Sequence, residues 1–201
     1  MPNVAVFFDR DGVLNEEVNY VTKVSELAVY PFAAEAVRRV NETGMLAIVV
    51  TNQAGIARGL LSEAALEDIH AKLEETLRLG GARLDAIYYC PHHPDYGPSE
   101  YRQACSCRKP SPGMLLAAAR DYQIDLTGSF FITDRHREIA MAQADGLQGV
   151  LVLTGYGSAE QALSEREKMP RPDLVADNAL SAVRAIVSGI PEEAPSAVAG
   201  E

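Results

Sequence analysis

Positive charge is scarce in this chain. Its 201 residues contain 18 lysines and arginines against 28 aspartates and glutamates, which gives a formal net charge of −10. Proteins that bind nucleic acid along a broad surface usually carry the opposite balance, so we expect no nucleic-acid partner. If the ligand is anionic, a metal ion and a few local cations must offset its charge.

Long apolar runs are also missing. No stretch approaches the roughly 18 apolar residues that a membrane span needs, and no basic residue precedes the first apolar stretch. We therefore expect no membrane partner and a cytoplasmic location.

Cysteine is rare as well, because only Cys90, Cys105 and Cys107 are present. An odd, clustered set in such a chain argues against a disulfide framework.

What the chain does contain is a regular alternation of strand and helix patterns. We predict strands near residues 3–8, 46–50, 84–89, 129–132, 149–153 and 173–176, and helices near 33–43, 63–79, 112–122, 137–145, 158–167 and 179–188. This alternation predicts an α/β fold with a mainly parallel, Rossmann-like sheet and helices on both faces. The length suits a single domain over 1–190, and the small polar tail at 191–201 is predicted to be disordered.

Two aspartates follow the first predicted strand. The apolar run Val4–Phe8 leads into Asp9-Arg10-Asp11-Gly12, at the sheet edge where open α/β proteins bind ligands. At such a place one carboxylate can attack phosphorus while the other handles the proton of the leaving group. The four residues alone are equally compatible with a capped turn whose two acids are solvated.

Three further positions carry polar side chains suited to the same chemistry. Thr51 follows the second strand and offers a hydroxyl to a phosphoryl oxygen, while Lys109 precedes the third helix and can neutralise phosphoryl charge. Asp134 follows the fourth strand and can supply an oxygen ligand to Mg²⁺. Each signal alone is more typical of a turn or a solvated side chain. Their order along the alternating strands favours one phosphoryl-transfer site.

The chain resembles the haloacid dehalogenase superfamily in four motifs, which are carried by Asp9-x-Asp11-Gly12, Thr51, Lys109 and Asp134. Over about residues 4–156 it more closely resembles the D-glycero-D-manno-heptose 1,7-bisphosphate phosphatases, which are relatives of the histidinol-phosphate phosphatases. The stretches that carry this closer resemblance are Phe8–Gly12, Thr51–Gly59, Tyr88–Pro94 and Cys105–Pro110.

The resemblance implies a capless phosphatase that removes the C7 phosphate in the synthesis of heptose precursors for lipopolysaccharide or related glycans. It implies that Asp9 is the nucleophile and that Asp11 protonates the leaving oxygen and then activates water. Thr51 and Lys109 would hold the phosphoryl oxygens. Mg²⁺ would bind between the Asp9 carboxylate, the Asp11 backbone carbonyl and Asp134.

The resemblance also implies a set of substrate contacts, namely Glu17, Val18, Asn19, Tyr20, Thr51, Asn52, Gln53, Ala54, Arg108, Lys109 and Arg135. Arg58 adds a cation beside them, which favours a substrate with a second phosphate over one with an amine. The expected substrate is therefore a small phosphorylated sugar, and the protein is expected to be a monomer. Histidinol-phosphate phosphatase activity and a non-catalytic phosphosugar-binding role are the alternatives.

The three cysteines are joined by a histidine at metal-ligand spacing. Cys90-x-His92 and Cys105-x-Cys107 supply three thiolates and one imidazole, a closed tetrahedral set typical of structural zinc. A zinc ion bound there would order a long loop, over about 90–108, that has no hydrophobic core of its own. Free cysteines beside a surface histidine are the alternative interpretation.

Three histidines remain besides His92, and none is assigned to the metal site or to catalysis. His93 is a competing imidazole for the metal, although the resemblance favours His92. His70 is predicted to be an ordinary residue on the face of an amphipathic helix, and His136 is assigned no role.

The fourth motif departs from the Gly-Asp-x-x-x-Asp pattern that is usual in the superfamily. Thr133 stands in place of the glycine and Glu138 in place of the second aspartate, while Asp134 is retained. We expect the added Cβ of Thr133 to displace the chain and the extra methylene of Glu138 to absorb that shift. Glu138 is expected to act on Arg135 or on a metal-bound water.

Overall fold

Six parallel strands form one sheet in the computed structural model, which describes residues 2–167 and 169–189. The strands are β1 (Ala5–Phe8), β2 (Leu46–Asn52), β3 (Ala86–Cys90), β4 (Phe130–Thr133), β5 (Gln148–Val152) and β6 (Leu174–Ala176). Their order across the sheet is β3-β2-β1-β4-β5-β6. The predicted parallel, Rossmann-like sheet is confirmed. The tail at 191–201 lies outside the described residues.

Five α-helices connect the strands in the described ranges, and a sixth follows β6: α1 (Ala33–Glu42), α2 (Glu63–Leu79), α3 (Gly113–Tyr122), α4 (His136–Ala144), α5 (Gly157–Glu167) and α6 (Ala179–Ser188). The start of α2 is fixed by Ser62, whose side chain accepts a hydrogen bond from the Ala65 N–H at 3.1 Å. Just beyond α1, Gly44 adopts a φ of +78°, where a side chain would be strained. None of the helices in the described ranges is long and apolar enough to cross a membrane.

Hydrophobic cores lie on both faces of the sheet because side chains of β1 alternate between them. Val6 and Phe8 face a core shared with α1, α2 and α6. Ala5 and Phe7 face a second core shared with α3 and α4. Burial on both faces explains why β1 is a continuous apolar run.

The carboxyl ends of β1, β2 and β4 meet at the point where the strand order reverses. Phe8 is paired with Val49 on one side and with Ile132 on the other. In doubly wound sheets the crevice at this point is the usual ligand site. Strand β2 runs two residues further than predicted because Thr51 and Asn52 pair with Tyr89 and Cys90, so Thr51 lies within the strand.

Candidate active site

Asp9 lies directly beyond β1, and its backbone and side chain are both fixed. Its N–H donates to the Ile132 carbonyl at 2.9 Å, which continues the pairing of β1 with β4. Its carboxylate is 2.6 Å from the Lys109 ammonium, and the residue is only 8% exposed. Burial raises the pKa of Asp9 well above its usual range, Lys109 opposes that rise, and Glu138 and Asp134 add to it.

Lys109 is held between two carboxylates in the interior. Its Nζ lies 2.9 Å from Glu138 Oε2 as well as 2.6 Å from Asp9 Oδ2. Burial alone would lower the pKa of this lysine, but the two carboxylates outweigh it and keep the pKa above its ordinary value. Lys109 is therefore a fixed cation next to Asp9.

Glu138 has partners other than those expected from the sequence. Its Oε2 accepts a hydrogen bond from the Thr133 hydroxyl at 2.9 Å, and the same oxygen pairs with Lys109. Burial would raise the pKa of Glu138, yet Lys109 and the Thr133 hydroxyl keep it below the usual value. The acid that departs from the usual motif thus pairs directly with Lys109, and the threonine that departs with it donates a hydrogen bond to the same carboxylate oxygen.

These contacts allow a direct test of compensation between the two unusual residues. Thr133→Gly removes the hydroxyl and Glu138→Asp withdraws the carboxylate from Lys109, so each change alone should raise the Mg²⁺ concentration for half-maximal activity. The double change restores the usual pattern. We expect its free-energy cost, measured from the Mg²⁺ dependence, to be about 1 kcal/mol less than the sum of the two single costs. Titrations of activity with Mg²⁺ measure this coupling.

The matched control combines Thr133→Gly with Glu35→Asp, which lies on α1 and pairs with Arg39 and Arg184. The free-energy costs of these two changes should add. Additivity in the Thr133 and Glu138 cycle as well would show that the two positions act independently.

Asp134 is packed closely against two glycines on one side of its carboxylate and lines the cavity on the other. Its Oδ2 accepts a hydrogen bond from the Tyr156 N–H at 2.8 Å, and the residue is 1% exposed. A Cβ at Gly12 or Gly155 would collide with that oxygen, so both positions require glycine. Burial raises the pKa of Asp134 to about 6, against a smaller lowering by the Tyr156 N–H and Arg135.

Carboxylates crowd together where these strand ends meet. Four of them lie beside two buried cations and one partly exposed arginine, namely Asp9, Asp11, Asp134 and Glu138 against Lys109, Arg10 and Arg135. Carboxylates packed this closely repel one another, and a bound divalent cation would offset that repulsion. The donor set therefore fits a hard metal ion with oxygen ligands.

Asp11 is surrounded by hydrogen-bond donors. Arg10 contacts both carboxylate oxygens through Nη2 at 2.9 Å, and its Nε lies 3.2 Å from Oδ1. The amides of Asn15 and Gln53 donate to the same carboxylate at 2.9 and 3.0 Å. Gln53 also donates to the Thr51 hydroxyl at 2.9 Å, which links Asp11 to the neighbouring strand end. These contacts fix the orientation of the carboxylate.

A polar cavity opens above these residues. Most of the predicted substrate contacts line it, together with the carboxylates: Glu17, Asn19, Tyr20, Thr51, Asn52, Ala54, Arg108 and Arg135. Gln53 and Lys109 are buried beside it at 5% and 3% exposure. Val18 lies outside the cavity and is 46% exposed. Arg58 lies in an adjoining groove, where its guanidinium stacks 3.9 Å from the centre of the Tyr96 ring.

Two arginines of the site were not predicted from the sequence. Arg137 lines the cavity from the first turn of α4, three residues after Asp134. Nothing in the sequence distinguishes it from a solvated arginine at the start of a helix. Arg10 lies between the two aspartates of the first motif, and it is fully buried rather than solvated.

The three cysteines and His92 meet at one point. The Cys90 sulfur lies 3.5 Å from that of Cys105 and 3.1 Å from that of Cys107, and His92 Nδ1 is 3.3 Å from the Cys107 sulfur. All four ligand atoms lie within 4.8 Å of one another, so the set could hold one metal ion. His93 instead accepts a hydrogen bond from the Asp95 N–H at 3.0 Å.

Comparisons with known proteins agree with this geometry. A family model described as HAD hydrolase-like matches residues 106–182. The D-glycero-D-manno-heptose-1,7-bisphosphate 7-phosphatase of Thermosynechococcus vestitus is 40% identical over 91% of this chain and 95% of that protein. The D-glycero-beta-D-manno-heptose-1,7-bisphosphate 7-phosphatase of Escherichia coli K12 is 42% identical over 75% of this chain and 80% of that protein.

A solved structure is similar over almost the whole fold. The D,D-heptose 1,7-bisphosphate phosphatase of B. bronchiseptica, complexed with magnesium and phosphate, superposes with a TM-score of 0.83 and 32% identity. The match covers 93% of this chain and 99% of that one. The motifs, the sheet order and these relatives agree, and the chain belongs to the haloacid dehalogenase-like family of D-glycero-D-manno-heptose-1,7-bisphosphate 7-phosphatases.

Proposed function

We propose that this protein is a Mg²⁺-dependent phosphatase that hydrolyses the C7 phosphate of D-glycero-D-manno-heptose 1,7-bisphosphate. The observation that carries the proposal is the buried Asp9 carboxylate beside the cavity, 2.6 Å from a lysine that is itself buried. The relatives named for this activity match most of the chain. A carboxylate fixed next to an ammonium is suited to attack phosphorus and form an acyl phosphate.

The first half-reaction transfers the phosphoryl group to Asp9. An oxygen of Asp9 forms a bond to phosphorus while the bond from phosphorus to the C7 oxygen breaks, and Asp11 gives its proton to that oxygen. Lys109 and the Thr51 hydroxyl hold the phosphoryl oxygens as charge develops on them. Asp9, Asp134 and the Asp11 carbonyl would hold Mg²⁺, and that ion would supply charge to offset the phosphoryl oxygens.

The second half-reaction returns Asp9 to its starting state. Asp11, now ionised, takes a proton from a water molecule whose oxygen attacks phosphorus. The bond between phosphorus and the Asp9 oxygen breaks, and inorganic phosphate leaves. One residue thus serves as acid in the first step and as base in the second.

Arginines at the cavity suit a substrate with a second phosphate. Arg108 and Arg137 line the cavity, and Arg135 does so with its guanidinium stacked 3.5 Å from the centre of the Tyr156 ring. The Arg135 guanidinium also faces Asp134 Oδ1 at 3.7 Å and Glu160 Oε1 at 3.5 Å, which are longer than charge-assisted hydrogen bonds, so donors remain for an anion. We assign the distal phosphate to these cations, with Arg58 in the adjoining groove as a further contact.

Glu17 is the one observation that favours histidinol phosphate, because a carboxylate in the cavity can pair with an amine. Burial, with Asp11 nearby, raises the pKa of Glu17. Three arginines line the same cavity, and they favour the bisphosphate.

A comparison of substrates tests this assignment. We expect kcat/KM for the heptose bisphosphate to exceed that for histidinol phosphate at least about tenfold, which needs only ~1.4 kcal/mol of transition-state stabilisation. Both anomers of the bisphosphate should be assayed with the same Mg²⁺-loaded enzyme. Heptose 7-phosphate is the matched control, since it has the same leaving oxygen and lacks only the distal phosphate.

If arginines bind the distal phosphate, kcat/KM for heptose 7-phosphate should lie between the values for the heptose bisphosphate and histidinol phosphate. A preference for histidinol phosphate would overturn the substrate assignment. Absence of phosphate release from every ester would instead favour a non-catalytic phosphosugar-binding protein.

A further inference from the structure

Arg10 is an unusual residue to find in the interior. It is the largest side chain in the described structure with no significant exposure. Its Nε and Nη2 are directed at Asp11, as described above, and its third nitrogen, Nη1, lies 3.3 Å from His70 Nε2. His70 belongs to α2, so Arg10 bridges the end of β1 and a helix that starts more than fifty residues later.

His70 is suited to accept a hydrogen bond rather than to donate one. It is 8% exposed, and its ring makes an edge contact with Tyr89 at a centroid distance of 5.9 Å. Burial and the Arg10 charge lower the pKa of His70 to about 4, although Asp11 opposes them, so the ring is neutral near pH 7. A guanidinium has no acceptor, so a hydrogen bond between them requires the lone pair on Nε2 and the proton on Nδ1.

We propose that His70 is a positioning residue for proton transfer, which fixes the Arg10 guanidinium so that Arg10 in turn fixes the Asp11 carboxylate. The proposal rests on the proposed function, because it concerns the residue that protonates the leaving oxygen. Arg10 is a flexible side chain, and a buried guanidinium with one unpaired nitrogen would move toward another acceptor. His70 removes that freedom by satisfying the nitrogen that Asp11 leaves free.

The expected effect is moderate because Asp11 has other partners. Asn15 and Gln53 still donate to its carboxylate when Arg10 is displaced. We therefore expect loss of His70 to misplace the carboxylate without removing it. Small misplacements of a proton donor typically lower rates by one or two orders of magnitude.

The effect should depend on the leaving group, which a merely structural role would not produce. A sugar alkoxide is strongly basic and needs its proton in the transition state, whereas nitrophenolate is a good leaving group that hardly needs one. His70→Leu should therefore lower kcat for the sugar phosphate at least about tenfold more than kcat for p-nitrophenyl phosphate. His70→Gln keeps an acceptor within reach of Arg10 and should recover most of the difference.

Leu73→Ala supplies the matched control on the same helix. Leu73 is fully buried in the core against the sheet, so this change should destabilise the protein while the ratio of the two rates stays at the wild-type value. An equal loss for both substrates in His70→Leu, or no advantage of His70→Gln over it, would limit His70 to packing. Sugar phosphates other than the heptose bisphosphate serve equally well, so an error in the substrate assignment leaves this test intact.

A second measurement needs no substrate. The nitrogen chemical shifts of the His70 imidazole in the Mg²⁺-loaded protein at pH 7 report which ring nitrogen carries the proton. We expect a neutral ring with the proton on Nδ1. A proton on Nε2 is incompatible with the hydrogen bond from Arg10 and would refute the proposal whatever the enzyme hydrolyses.

Discussion

Asp9→Asn should lower turnover at least about 10⁴-fold while the protein stays folded, since an amide has nearly the same shape but cannot form an acyl phosphate. The native contacts explain why folding should survive. The Arg10 N–H donates to Asp9 Oδ1 at 2.8 Å, and an asparagine oxygen can accept the same bond. Lys109 loses one carboxylate but keeps Glu138 at 2.9 Å. Steady-state kinetics and thermal unfolding of the same preparation measure both effects.

The matched control is Asp121→Asn, another exchange of carboxylate for amide. Asp121 lies in the last turn of α3 and does not line the cavity; it pairs with Arg120 and accepts a hydrogen bond from Tyr88. Its replacement should leave turnover unchanged. If Asp9→Asn retained near wild-type turnover, phosphoryl transfer to Asp9 would be excluded and direct attack by water would become the better mechanism.

Loss of the zinc proposed at Cys90, His92, Cys105 and Cys107 should lower stability and activity together. Only Arg108 separates Cys107 from Lys109, so any loosening of the zinc site would also move the lysine. Cys105→Ser should cost about 3 kcal/mol, or roughly 10 °C in Tm for a chain of this size, and should lower kcat at least about tenfold. Removal of Mg²⁺ should instead abolish activity reversibly with a smaller change in Tm.

Ser106→Ala is the control for the zinc site, since the Ser106 side chain is exposed between the two cysteines. Its backbone carbonyl still accepts a hydrogen bond from the Gly113 N–H in the variant. That variant should bind zinc and retain both Tm and activity. Elemental analysis of protein purified without chelators should give one zinc per chain. A zinc content near zero would refute the ligand assignment.

Local patterns were sufficient to predict most of the fold. The bounds of α2 at residues 63 and 79 followed from Ser62 and a 3.6-residue period, because capping and amphipathicity act within one segment. The strand ends that carry Asp9 and Asp134 followed from apolar runs that stop at a charge. Such signals need no knowledge of what a side chain meets elsewhere in the chain.

Partners that are distant in sequence could not be predicted in this way. His70 has the spacing of an ordinary buried face residue, and only the packing of α2 against the end of β1 brings it to Arg10. Glu138 was expected to act on Arg135 or water, but its carboxylate contacts Lys109 and Thr133 instead. Arg137 resembles any solvated arginine at the start of a helix. In each case the function of the residue depends on tertiary contacts that carry no local signal.

The pairing of β1 with β4 has a consequence for how the protein acquires its activity. These two strands are neighbours in the sheet although about 120 residues separate them in the sequence, and Asp9 meets Asp134 only after β4 has docked. Contacts of such high sequence separation form late, since the entropy of closing the long intervening chain opposes them. A nascent or partly folded chain would hold the nucleophile without the acid that completes the metal site. Catalysis would therefore begin only when the central strands have come together, which makes enzymatic activity a direct reporter of finished folding.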